Sequence, residues 1–184
     1  GFPDAGCRAD LLLRRPPRFK AGGGLAREGS ESMSELAMRI CSELDGSVLS
    51  IQGPPGTGKT YTGARMICEL VKKGRRVGVT GHSHEVIRNL LKEVHSQAGA
   101  QAVRIGHKPD SDAELEPFIE ALDNDSVVAQ LQQRALDLVV GTSWTGRRPD
   151  KARPVDVVIV AAAGAMSRPH GLHMRSGPGG GVAL

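Results

Sequence analysis

Aliphatic and polar positions alternate along this chain with two different periods. From Glu31 to Leu44, ESMSELAMRICSEL places Met33, Leu36, Ile40 and Leu44 at helical spacing, and Asp45-Gly46 ends the run. SVLSIQG then reads as a buried strand ending at Gly53. Beyond Gly58 a second helical face carries Ala64, Ile67, Cys68 and Val71 and stops at Gly74. RRVGVTG is a short strand, and SHEVIRNLLKEVHSQA is an amphipathic helix with Ser83 as its N-cap. QAVRIG, LDLVVGT and VDVVIV are three further aliphatic strands, while residues 112–136 read as helix in two pieces broken near DNDS.

Strand–helix alternation with aliphatic strands predicts an α/β fold, a parallel sheet covered by helices on both faces. The expected organisation is a basic Gly/Pro-rich arm over 1–30, an α/β domain over 31–167, and a disordered tail over 168–184 that lacks periodicity and buries nothing. A length of 184 residues suits one domain with tails, and 39% hydrophobic against 3% aromatic residues makes the core aliphatic. No apolar run approaches the roughly 20 residues of a membrane span. The basic residues of the N-terminus follow its short Leu run, the wrong order for a secretory signal. A cytoplasmic protein without a membrane partner is therefore expected.

Cys7, Cys41 and Cys68 are odd in number and far apart, which excludes a CxxC pair and points to reduced thiols. The pairs His82/His84 and His170/His173 lack a matching ligand cluster and read as loop histidines. The net charge of +4 sits at the ends: 1–27 and 146–184 each hold six Lys/Arg against two acids, while 28–145 holds twelve against sixteen. Such basic ends either touch nucleic-acid phosphates or are simply solvated.

The chemistry is concentrated in GPPGTGKT, Gly53 to Thr60, which satisfies GxxxxGK[ST] between a predicted strand and a predicted helix. Glycines let successive backbone N–H groups approach phosphates, and the helix start adds free N–H groups and a positive dipole end. The candidate nucleotide-binding residues are Gln52, Gly53, Pro54, Pro55, Gly56, Thr57, Gly58, Lys59, Thr60 and Tyr61. Lys59 supplies a charge to the β/γ-phosphates and the Thr60 hydroxyl a ligand to Mg²⁺. Such a site also needs a second strand that delivers acids at its carboxyl end. VDVVIV fits that strand, but Ala161 and Ala162 follow it. Asp156 lies five residues upstream of Ala161, about 16 Å away and towards the wrong end of the sheet.

VLSIQGPPGTGKTYTGARMI resembles motif I of superfamily 1 helicases of the 5′-to-3′ branch, and is most similar to the helicase half of bacterial RecB-family nuclease–helicase fusions. LLLRRPPRFKAGG is similar to the segment upstream of it, RVGVTGHSHEVIRNLL to motif Ia, and VVGTSWTGRRPDKARPVDVVIV to the approach to motif II. The resemblance spans roughly residues 9–167 and implies the first RecA-like P-loop domain of a helicase core, here incomplete. It implies ATP with Mg²⁺ as cofactors and single-stranded DNA or RNA as partner. Thr80, Ser83 and His84 of motif Ia, with Thr142 and Trp144, would face the strand. Trp144 either stacks a base or packs on the sheet.

The family's motif II, Asp-Glu-Ala-Gly-Gln-Met-Ser, corresponds to Ala161, Ala162, Ala163, Gly164, Ala165, Met166 and Ser167. Only the three polar side chains are replaced, where drift would have disturbed the neighbours as well. The catalytic positions Ala161, Ala162 and Ala165 are thus emptied, Mg²⁺ binding is expected to be weakened, and hydrolysis is expected to fail. The family's second RecA-like domain, with its γ-phosphate arginines, has no counterpart in these residues. Two rival readings are a nucleic-acid-binding remnant using motif Ia with Arg14, Arg15 and Arg18, and a non-functional truncated fragment. Oligomeric state is not written in the sequence.

Overall fold

The computed structural model describes residues 10, 13, 15–20, 23–99, 103–107, 116–141, 155–161 and 181–183. Helix α1 (Met33–Glu43) leads into β1 (Val48–Ser50), and α2 (Lys59–Lys72) into β2 (Val77–Gly81). There follow α3 (His84–Ala98), β3 (Ile105–His107), β4 (Ile119–Ala121), α4 (Asn124–Gln132), β5 (Leu138–Val140), β6 (Val157–Ala161) and β7 (Gly181–Ala183). The seven strands form one sheet in the order β1-β7-β6-β2-β5-β3-β4, and each neighbouring pair is parallel.

Local chemistry sets the helix starts. Ser32 and Glu35 form a reciprocal capping box at α1, in which the Ser32 N–H donates to Glu35 Oε2 at 2.8 Å and the Glu35 N–H donates to Ser32 Oγ at 3.2 Å. Ser83 is the N-cap of α3, as its position predicts, and its Oγ accepts from the Val86 N–H.

The alternation along the central strands then divides the core. Val77, Val79, Leu138, Val140, Val157 and Ile159 pack with α1, α2 and α3 on one face. Val139 and Val158 point the other way and pack with Val127 and Leu131 of α4. The sheet is therefore covered on both faces, as expected, and each buried Val, Leu or Ile side chain contributes about 1.5–3 kcal/mol.

Two expectations are corrected. The first half of 112–136 is not helical where it is described, because Ile119–Ala121 pairs with β3 as an edge strand. A weak local helical pattern yields there to backbone pairing with a sheet edge. The tail beyond 168 is not wholly without structure, because Gly181–Ala183 pairs with both β1 and β6. A three-residue strand whose backbone pairs on both sides needs no periodicity of its own.

The described part of the arm is docked on the domain. Phe19 bridges Leu44, the Arg18 guanidinium donates to Asp10 at 2.7 Å and to the Gly46 carbonyl at 3.0 Å, and Ser47 Oγ donates to the buried Asp10 carboxylate. Arg39 holds the next stretch, donating to the Gly24 and Ala26 carbonyls and pairing with Glu31 at 2.9 Å.

Candidate nucleotide site at the carboxyl ends of the strands

The loop from Gly53 to Gly58 connects β1 to α2. Gly56 and Gly58 have φ of +81° and +78°, the left-handed region in which a Cβ is strained. Gly58 is the N-cap of α2 and no side chain caps that terminus, so the helix presents its first N–H groups outward. A Cβ on Gly53 would lie 2.8 Å from Thr57 Oγ1, so a side chain there would displace Thr57. Thr57 Oγ1 donates to the Pro54 carbonyl at 2.8 Å and pins the loop's curve. Lys59 Nζ donates to the Gly53 and Pro54 carbonyls at 2.7 and 2.9 Å, which suspends the ammonium across the loop.

The arrangement is an anion cradle: helix dipole, exposed N–H groups and a fixed cation converge on one point. Gln52, Pro54, Pro55, Thr57, Thr60 and Tyr61 are all solvent-exposed around it. Tyr61 is 49% exposed on the first turn of α2, and the Arg65 guanidinium carbon lies 5.9 Å from its ring centroid. Gln97 of α3 donates to the Tyr61 carbonyl and steadies that turn. Arg65 was not among the sequence candidates, although its spacing of four from Tyr61 was the signal for it.

Ala161 closes β6, buried, with its Cα paired to Gly81 at the end of β2. The motif II position therefore stands at the same end of the sheet as the loop. The two strands are not neighbours, because β7 runs between β1 and β6 and sets them about 10 Å apart. Asp156 is at the opposite end, as expected, where it bonds Arg76. Ala162, Ala165, Thr142 and Trp144 lie outside the described residues.

Of the motif Ia candidates, Thr80 is 2% exposed within β2, Ser83 caps α3, and His84 is exposed. The His84 ring meets the buried His107 ring edge-on, with centroids 6.4 Å apart. His107 was missed because its strand was expected to end one residue earlier, at Gly106. No group of three or more His, Cys, Asp or Glu side chains suited to a metal occurs among the described residues, and none of their helices is long and apolar enough to cross a membrane.

Comparison with known proteins agrees with this geometry. The AAA domain family matches residues 31–141, more than half of the chain. The DNA polymerase alpha-associated DNA helicase A of Schizosaccharomyces pombe is 42% identical over 57 residues, 31% of this chain and 8% of that protein. The DNA-binding protein SMUBP-2 of Rattus norvegicus is 32% identical over 99 residues, 51% of this chain and 10% of that protein. The Regulator of nonsense transcripts 1 homolog of Drosophila melanogaster is 35% identical over 91 residues, 45% of this chain and 8% of that protein. The chain thus spans about a tenth or less of the length of the curated relatives it matches. It belongs to the AAA domain family, as a first RecA-like domain of the superfamily 1 helicase type.

Proposed function

We propose that this domain binds ATP through the loop from Gly53 to Thr60 without hydrolysing it efficiently. The observation that carries the reading is the cradle itself: left-handed Gly56 and Gly58, an uncapped helix start, and Lys59 held across the loop. Lys59 exchanges its two carbonyl acceptors for phosphate oxygens, a charge-assisted bond in place of a weaker one. Tyr61 with Arg65 offers a face on which the base stacks.

For Mg²⁺ the fit is partial. The exposed Thr60 hydroxyl is one ligand beside the phosphates, but the carboxylate that would complete the shell is Ala161 or Ala162 here. When bound, the ion would offset phosphate charge. Loss of a general base costs roughly 10²–10⁴-fold in rate. Loss of two carboxylates beside a triphosphate also removes like-charge repulsion, so ATP binding tolerates the absence of Mg²⁺. The free Cys41 and Cys68 support a reducing, cytoplasmic setting. His84, at the start of α3, supports contact with single-stranded DNA or RNA at the same rim.

Titration with a fluorescent ATP analogue tests the reading. Saturable binding that Lys59→Ala abolishes, with the thermal transition unchanged, is the expected result. Absence of binding both with and without Mg²⁺ would overturn it.

A further inference from the structure

The opposite rim of the sheet carries a second concentration of positive charge. Helix α2 ends in Lys72, Lys73, Gly74, Arg75 and Arg76 before β2, and α4 ends near Arg134 before β5, the strand beside β2. The two ends are built alike. The Gly74 N–H donates to the Val71 carbonyl and the Arg75 N–H to that of Leu70; the Arg134 N–H donates to the Leu131 carbonyl and the Ala135 N–H to that of Gln130. Both caps need a left-handed residue, and Gly74 and Arg134 have φ of +71° and +56°. The Arg134 guanidinium lies over the other turn, 3.8 Å from where a Cβ of Gly74 would stand.

The carboxylates of this rim are already engaged. Glu69 pairs with Lys73, Asp156 with Arg76 and Asp137 with Arg104. Lys72 and Arg134 make no ion pair among the described residues, and Arg75 reaches the Asp156 carboxylate only through its charge, without a direct ion pair. Cations at helix ends complement the dipole, which accounts for Lys72. That does not account for Arg134, because glycine would complete the same cap without strain. An arginine held in a conformation that disfavours it marks a side chain kept for another purpose.

We propose that Lys72, Arg75 and Arg134 form a binding site for the phosphodiester backbone of a nucleic acid, about 20 Å along α2 from Lys59. Two of the three are arginines, whose forked donors match phosphate oxygens. The surface suits a nucleic acid better than a protein. Protein interfaces are built around apolar anchors. The exposed large hydrophobic residues among those described are Leu13, Leu25, Met33 and Tyr61, none of them in these turns. The site is independent of the nucleotide cradle, and its test does not depend on ATP binding.

The test measures anisotropy of a short labelled single strand, DNA and RNA, with the full chain across a range of salt. Substituting Lys72→Ala, Arg75→Ala and Arg134→Gly together should reduce the slope of log K against log salt by roughly 2, or roughly 0.7 for each phosphate that is no longer neutralised. Arg134→Gly alone should reduce the slope by one such step while raising Tm by about 2–4 °C. This pairing of weaker binding with higher stability would not arise from damage to the fold. An unchanged slope in the triple variant overturns the proposal, as does a lower Tm for Arg134→Gly. Binding of polyglutamate through these residues, with strand binding unaffected, would assign the rim to an acidic protein segment instead and also overturn it.

Discussion

Arg76 and Asp156 clasp each other where β2 and β6 begin. The Arg76 N–H, Nε and Nη2 donate to the Asp156 carboxylate at 2.9, 3.3 and 3.1 Å, and the Asp156 N–H returns a bond to the Arg76 carbonyl at 2.8 Å. Arg104 and Asp137 repeat the same four bonds where β3 and β5 begin. Strands β6, β2, β5 and β3 are consecutive in the sheet, so carboxylate and guanidinium alternate along its edge. Each clasp fixes the register of one parallel pair.

The clasps make the fold sensitive to acid. Burial works to raise both carboxyls, but the hydrogen bonds and charge of the facing arginine outweigh it and hold Asp156 and Asp137 below the usual carboxylate range. A folded pKa lower than the unfolded one gives stability that is full above the ordinary Asp range and is lost as pH falls through the folded value. Asp156→Asn should cost about 1–3 kcal/mol at neutral pH and flatten the loss of stability below about pH 4. Urea unfolding at several pH values checks both effects. Equal acid sensitivity in Asp156→Asn and the parent would remove Asp156 as a cause.

Tyr61 should affect the base and not the phosphates. Replacing it with Ala should weaken ATP binding roughly 5- to 30-fold, about 1–2 kcal/mol of stacking, and leave tripolyphosphate binding unchanged. Tyr61→Phe should behave as the parent does. Competition of both anions against a fluorescent analogue reads the difference, and an equal loss for both would mean that Tyr61 shapes the loop instead.

Restoring acids at motif II should alter metal dependence before it alters turnover. Ala161 is buried at the end of β6, so Ala161→Asp should destabilise the protein without ligand by about 1–3 kcal/mol. With Ala162→Glu added, Mg²⁺ together with ATP should recover that loss, seen as a rise in Tm that neither gives alone. Hydrolysis measured on these 184 residues should stay low unless an arginine is brought to the γ-phosphate, a contact worth roughly 10³–10⁵-fold in rate. A recovery by ATP without Mg²⁺ would contradict the assignment of the metal ligand.

Cys41 should be inert in the native protein. Burial pushes its thiol up to about 12, which leaves almost no thiolate at neutral pH, and Cys68 is raised for the same reason. Mass spectrometry after alkylation should find Cys41 modified only once the protein unfolds, so its labelling rate reports global opening. Rapid modification at neutral pH in the folded protein would show that α1 opens on its own.

The chain's own pattern determined a large part of this. The periods of aliphatic residues placed four helices and five strands, because a side chain's face follows from its spacing alone, and glycine, lysine and threonine at fixed offsets marked the cradle before any fold was known. Ser83 as a cap and Asp156 as too distant to serve a metal were equally legible, since each depends on a few neighbouring residues. Other features depended on groups distant in sequence. Strand β7 has no pattern of its own and exists through the backbones of β1 and β6, and it is β7 that separates the loop strand from the motif II strand. Tertiary packing brought His107 to His84 and Arg134 to Gly74, and it seated the described part of the basic arm against Leu44, Gly46 and Ser47. The reason is physical: periodicity reports which face of an element is buried, whereas order in a sheet and meetings between distant side chains are decided by what that burial brings together.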